Sequence, residues 1–285
     1  MIEAMQIGIF AKTFSRPTLG ELLETISGYG IESIQFNFSC AGLPTLPEEI
    51  SATLTDQIRQ EFLNHELNLA AVSGTFNLIH PDLRVRRDGL RRFPELVRAC
   101  ARIGAPVITL CTGTRDPENM WRRAAENGSP EAWRDLLASL SELLPFAEAN
   151  RITLGVEPEP GNVISSPRRA RRLLDELKSS RLKIVMDAAN LFTDENLPHM
   201  RKTLDDAFDL LGGDIAIAHA KDVHAESGKL RHVAAGQGAL NYEHYLLRLN
   251  ACDFMGPLIL HELQEADVPG CVTFLREKLK ATQSA

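Results

Sequence analysis

The chain has 285 residues, 44% of them hydrophobic, so it can bury one large core; no stretch approaches the roughly 18–20 apolar residues that a membrane span needs. Its 31 basic and 38 acidic residues leave a net charge of −7, which argues against binding through neutralised phosphate backbones and so against a nucleic-acid partner. The opening MIEAMQIGIFAKTF lacks the basic start of a secretory signal, and Cys40, Cys100, Cys111, Cys252 and Cys271 are odd in number with no C-x-x-C spacing, so reduced thiols in a cytoplasmic protein are expected.

In chain order, QIGIFAKTF reads as a first strand. A helix follows, opened by a capping box of Thr18 and Glu21, with Leu22, Ile26 and Tyr29 as its apolar stripe and Gly30 as its stop. SIQFNF is a second strand, DQIRQEFLNHEL lies in a helix, and LAAVSGTF is a third strand. Leu90, Phe93, Val97 and Ala101 recur at helical spacing within DLRVRRDGLRRFPELVRACARIGA, where Pro94 predicts a late start or a bend. VITLCTG is the fourth strand, and the polar stretch TRDPENMWRRAAENGSPEAW after it is long enough for a loop over the mouth of a barrel.

Ser129-Pro130 and Ser166-Pro167 each pair an N-cap residue with proline at the first helical position. Between and beyond them stand four more buried-strand patterns, ITLGVEPEP, LKIVMDAAN, IAIAHAKDV and PLILHEL. Nothing in the composition marks a linker. Eight alternations of strand and helix predict an α/β fold, a (β/α)₈ barrel occupying residues 1–285 as one domain.

Those last four strands carry the chemistry. Glu157, Asp187, His219 and Glu262 stand at their C-terminal ends, 30, 32 and 43 residues apart, about one strand-helix-strand unit each. Parallel strands present those ends on one face, so three carboxylates and an imidazole converge. Unpaired, they repel one another and lose hydration; a divalent cation answers both costs. Each has a plainer alternative: Glu157 or Glu159 paired with an arginine such as Arg168, Asp187 as a helix N-cap, His219 as a satisfied core histidine. The set of four, one per adjacent strand, favours the metal. An oxygen-dominated ligand set suits Mn²⁺, Mg²⁺ or Co²⁺ and is compatible with Zn²⁺.

Further polar groups fall on the same face. His80 after strand three, Glu159 (on the side of Glu157 by alternation), Asn190 and Lys221 are candidates to contact substrate. Asp222 is read either with Lys221 on substrate hydroxyls or as half of a local ion pair. Arg115, Trp121 and Trp133 belong to the polar excursion, where a tryptophan covers a sugar face or anchors the loop. The run Arg168 to Arg172 reads as a phosphate patch or, at helical spacing, a solvated outer face, and the HVAAGQG segment as a glycine-bearing loop after strand seven.

These segments resemble the xylose-isomerase-like barrels, a superfamily of sugar and sugar-phosphate isomerases and epimerases and inosose dehydratases, whose fold endonuclease IV shares. LGVEPEPGN, IVMDAAN, HAKDV and GQGALNYEHYLLRLNACDFMGPLILHEL carry the resemblance, which spans nearly the whole chain. In the ketose 3-epimerases of this group a glutamate, an aspartate, a histidine and a glutamate on strands five to eight bind one divalent ion. Here the matching positions are Glu157, Asp187, His219 and Glu262, and the resemblance makes the two glutamates the acid/base pair. It implies proton abstraction beside a carbonyl through a metal-stabilised enediolate, on a sugar or polyol, in a chain that forms a homodimer or homotetramer. Loss of a β-hydroxyl from the same intermediate would make a dehydratase. Many relatives have histidine where Asn190 stands, so the substrate does not carry over. The alternatives are a non-catalytic sugar-binding barrel and a DNA-repair endonuclease; the latter needs several metals and many histidines, and its surface should not be acidic.

Overall fold

The computed structural model describes residues 5–226 and 229–283. The domain expected over 1–285 includes residues 1–4, 227–228 and 284–285, which lie outside the described residues. Eight parallel strands close into a barrel: β1 (Ile7–Phe10), β2 (Ser33–Phe36), β3 (Asn68–Ser73), β4 (Val107–Leu110), β5 (Thr153–Val156), β6 (Leu182–Asp187), β7 (Ile215–Ala220) and β10 (Leu258–Leu260), with β10 paired to both β1 and β7. Helices α1 (Leu19–Gly28), α2 (Ala52–Asn64), α3 (Leu83–Ile103), α4 (Pro130–Asn150), α5 (Pro167–Leu177), α6 (Met200–Leu211), α7 (Tyr242–Ala251) and α8 (Val268–Gln283) connect the strands or follow the last. This is the single (β/α)₈ barrel that the alternation predicts.

The helix starts follow from local chemistry. Thr18, Ser129 and Ser166 side chains accept from the backbone N–H groups of Glu21, Ala132 and Arg169, each satisfying a donor that the first turn leaves free. Pro94 neither delays nor ends α3, which runs unbroken across it because Leu90, Phe93, Leu96 and Val97 are buried on both sides of the proline. Gly30, with φ of 68°, turns the chain just beyond α1, and an added Cβ there would meet the Arg276 guanidinium.

The sequence reading missed one element. Between β7 and α7 the chain forms an antiparallel hairpin, β8 (Asp222–Glu226) with β9 (Lys229–Val233), so the expected loop from His232 begins in a strand. Its polar, largely exposed residues lack the alternation that marks a half-buried strand.

The core has two parts. The larger fills the space between barrel and helices; the smaller plugs the barrel interior with Ala71, Val107, Val185, Ile217 and Ile259. Two residues further along their strands, Val185, Ile217 and Ile259 give way to Asp187, His219 and His261. Alternation therefore points these polar groups inward, above an apolar floor. Among the described residues, no helix is long and apolar enough to cross a membrane.

Candidate active site

A cleft of about 310 Å³ opens at the C-terminal ends of the strands. Phe10, Lys12, Gln35, Ser73, Thr109, Trp121, Glu157, Glu159, Lys221, His261 and Glu262 are among its lining residues, while Asp187, His219 and Asn190 are buried at its base. Of the sequence candidates, the structure gathers Glu157, Glu159, Asp187, Asn190, His219, Lys221 and Glu262 into one network.

Its centre is His219. The ring Nδ1 stands 3.4 Å from Glu157 Oε1 and 3.7 Å from Asp187 Oδ2, and Nε2 lies 3.0 Å from Gln35 Oε1 on β2. If Nε2 donates to the amide oxygen, Nδ1 is the nitrogen turned toward the carboxylates. Asp187 divides its work: Oδ1 accepts from Ala189 N–H at 2.9 Å, which makes it the N-cap that the sequence offered as an alternative. Oδ2 is fully enclosed and has no hydrogen bond, and His219 Nδ1 likewise has none. Two buried polar atoms 3.7 Å apart with no hydrogen bond are costly unless something binds between them. Tyr245 on α7 fixes the backbone behind both, its one hydroxyl hydrogen shared between Met186 O at 3.0 Å and His219 O at 3.1 Å.

Lys221 is the cation already present. Its ammonium donates to Asn190 Oδ1 at 2.8 Å and lies 3.1 Å from Asp187 Oδ2, close but not aligned as a hydrogen bond, and 3.3 Å from Glu262 Oε2. Neighbouring Asp222 faces away and ties the following loop, accepting from the N–H groups of Val223, Gly236 and Leu240. The paired reading of Lys221 and Asp222 therefore fails, because alternation sends them to opposite sides.

Burial and charge set the protonation states. Burial opposes the charged form of His219, but Glu157 and Asp187 overcome it and push the imidazole up to about 9. Without a cation between them, the carboxylates thus hold a proton on the ring, the proton a metal would displace. Burial likewise opposes ionised Asp187, yet Lys221 and His219 hold its carboxyl well below the usual range. Burial, with Glu157 beside it, raises Glu159 to about 8. Hydrogen bonding to His232 on β9 is the main cause that lowers Glu262, to about 2, helped by Lys221.

Glu262 sits differently from the other three metal candidates. It follows β10 in the left-handed region, φ 52°, and its side chain is 49% exposed, between His232 and Lys221. The residue that alternation sends inward from β10 is His261, which the sequence reading passed over although Ile259 and His261 share one side of LILH. His261 offers ligand atoms within 4.8 Å of those of Asp187 and His219, and its Nδ1 has no partner. Yet its ring stacks on that of His219, centroids 4.5 Å apart and planes within 6°. Imidazole lone pairs lie in the ring plane, so stacked rings do not aim at one ion; burial and His219 instead lower His261 to about 4, leaving it neutral. Among the described residues the three whose ligand atoms lie mutually within 4.8 Å are Asp187, His219 and His261, while Glu157 approaches His219 Nδ1 to 3.4 Å.

The remaining candidates separate. His80 does not line the cleft: its Nε2 lies 3.1 Å from Pro117 O and its Nδ1 accepts from Asp82 N–H. Arg115 staples the excursion to Ile79 O and Asp135. Trp121 lines the cleft, whereas Trp133 is buried on α4, donating to Glu176 at 3.0 Å under the Arg172 guanidinium. Arg171 and Arg172 pair with Asp175, Asp214 and Glu176, the outer-face reading of that basic run.

No functionally curated protein matches the chain. Solved structures do. The 3-keto-D-glucoside 4-epimerase YcjR from E. coli, in apo form, shares 18% identity at a TM-score of 0.71, over 99% of this chain and 100% of that one. Mannonate dehydratase from Streptococcus suis shares 14% at 0.75 (99% and 94% covered), and the IolI protein, solved with a zinc atom, 18% at 0.70 (98% and 96%). At such identities the likeness speaks for the fold. The family model for the xylose isomerase-like TIM barrel matches residues 23–280, and the chain belongs to that family.

Proposed function

We propose that the chain is a divalent-metal-dependent isomerase or epimerase of sugars or sugar phosphates, acting by proton abstraction beside a carbonyl. The observation that carries this reading is the convergence of Glu157 Oε1, Asp187 Oδ2 and His219 Nδ1, the last two without a hydrogen-bond partner in an enclosed site. That donor set fits a cation: Glu157, Asp187 and His219 would hold it, with Glu262 on the cleft wall as the fourth group. The three oxygens and one nitrogen suit Mn²⁺, Mg²⁺ or Co²⁺, and the zinc in the IolI structure keeps Zn²⁺ in the set. A bound divalent ion supplies polarisation of a carbonyl and its neighbouring hydroxyl.

The chain's own groups do the rest. Glu157, directly after β5, takes the proton from carbon, and Glu262, across the cleft mouth, returns one; return to the opposite face inverts the carbon and gives epimerisation. Transfer between adjacent carbons gives isomerisation. Lys221 and Glu159 offer polar contacts to substrate oxygens, and Phe10 and Trp121 supply apolar wall against a sugar's carbon face. His80 acts only through the loop it holds.

The test joins metal analysis to isotope exchange. Protein purified without chelator is expected to carry about one divalent ion per chain by mass spectrometry, lost in the double variant Asp187→Ala, His219→Ala. With that ion, one or more ketoses or ketose phosphates exchange a carbon-bound hydrogen for deuterium from D₂O, and Glu157→Gln slows exchange by about 10²–10⁴-fold. Metal-loaded wild type that exchanges no hydrogen with any of a broad ketose panel would favour the non-catalytic sugar-binding barrel. Failure to bind metal at all would sink the mechanism.

A further inference from the structure

Asn190, read from sequence as a group facing substrate, has spent its hydrogen-bonding capacity on the protein. It follows β6 in a short 3₁₀ turn, Ala188–Leu191, begun by the Asp187 cap. Its side-chain amide donates to Glu157 Oε1 at 3.0 Å and to Glu159 Oε2 at 2.8 Å, which uses both hydrogens. Its Oδ1 accepts from Lys221 Nζ at 2.8 Å. The opposite amide orientation would set an oxygen against two carboxylates and a nitrogen against an ammonium, so the network fixes the assignment. The residue is 5% exposed, with little surface left for a ligand.

We propose that Asn190 is a positioning residue: it fastens Glu157 and Glu159 side by side from one amide and anchors Lys221 from the other end, so that Glu157 faces His219 and Asp187. The inference rests on the metal reading above and deepens it. Glu157 and Glu159 lie two positions apart with Pro158 between them, and one amide that donates to both holds their side chains next to each other. A neutral donor bridging both keeps Glu157 turned toward His219.

The probe is Co²⁺ alone, titrated by calorimetry into chelator-stripped protein, beside the melting temperature of that stripped protein. Asn190→Ala is expected to weaken Co²⁺ binding by about 10–100-fold, the usual effect of removing a group that orients a metal ligand. Asn190→Asp should lower the melting temperature, because the side chain then has no hydrogen to donate to Glu157 or Glu159. Adding Glu159→Gln should restore most of that loss, because position 159 then donates where position 190 accepts; a space-filling role would give no such rescue. If wild type binds Co²⁺ and Asn190→Ala binds it within about twofold, the inference fails while the metal reading stands. If Asn190→Asp melts like wild type, the clamp does not exist. If wild type takes up no Co²⁺, the metal reading fails and takes this inference with it.

Discussion

Replacing Lys221 by methionine removes the ammonium that reaches the buried Asp187 and keeps much of the apolar stem. Its Nζ lies 3.1 Å from Asp187 Oδ2, a gross attraction of about 5 kcal/mol at an effective dielectric near 20. The second contact, 3.3 Å to Glu262, is worth about 1 kcal/mol or less because that carboxylate is half-exposed. Removing one partner of a buried pair strands the other, at about 3–5 kcal/mol. For a domain of this size that lowers the melting temperature by about 10 °C. The assay is thermal melting of wild type and Lys221→Met, each in chelator and in millimolar Mn²⁺. In chelator the variant should melt about 10 °C lower; Mn²⁺ should narrow the gap, because an ion beside Asp187 supplies the positive charge that the variant lacks. A variant that melts with wild type in chelator would show that Asp187 does not depend on Lys221, and the electrostatic account of the site would be wrong.

Two further predictions test the frame around the site. Asp214 is held below the usual carboxylate range because Lys183 and Arg171 outweigh the burial that opposes its charge, so its contribution is present above its unfolded pKa and disappears as pH falls through the folded one. Asp214→Asn should therefore cost about 1 kcal/mol by denaturant unfolding at pH 7 and nothing measurable well below pH 3; an equal cost at both would refute the ion-pair account. Trp133→Leu should cost about 3 kcal/mol, since the indole is buried between α4 and α5, whereas Trp121→Ala on the cleft wall should stay within about 0.5 kcal/mol; equal melting temperatures for the two would contradict the assignment of anchor and wall.

What could be read in advance depended on how local the signal was. Ser129-Pro130 and Ser166-Pro167 mark helix starts because a cap is completed within four residues. The β8–β9 hairpin escaped because its exposed strands have no buried face to impose a pattern. Strict alternation along Leu258-Ile259-Leu260-His261 was enough to turn His261 inward, and weighing charge above periodicity hid it. Gln35, facing His219 from the far side of the barrel, had no partner in sequence to suggest it.

The barrel and the strand ends at which Glu157, Asp187, His219 and Glu262 stand are legible along the chain, because strand period, helix period and caps are local properties. Which atoms meet depends on how the folded strands and loops are set against one another. Asn190 bonds to residues 31 and 33 positions before it, and Lys221 lies between carboxylates of β6 and of the segment after β10. Glu262 leaves the strand pattern through a positive φ. Such contacts are fixed by charge and space across neighbouring strands, and a period along the chain carries no record of which long side chain reaches which.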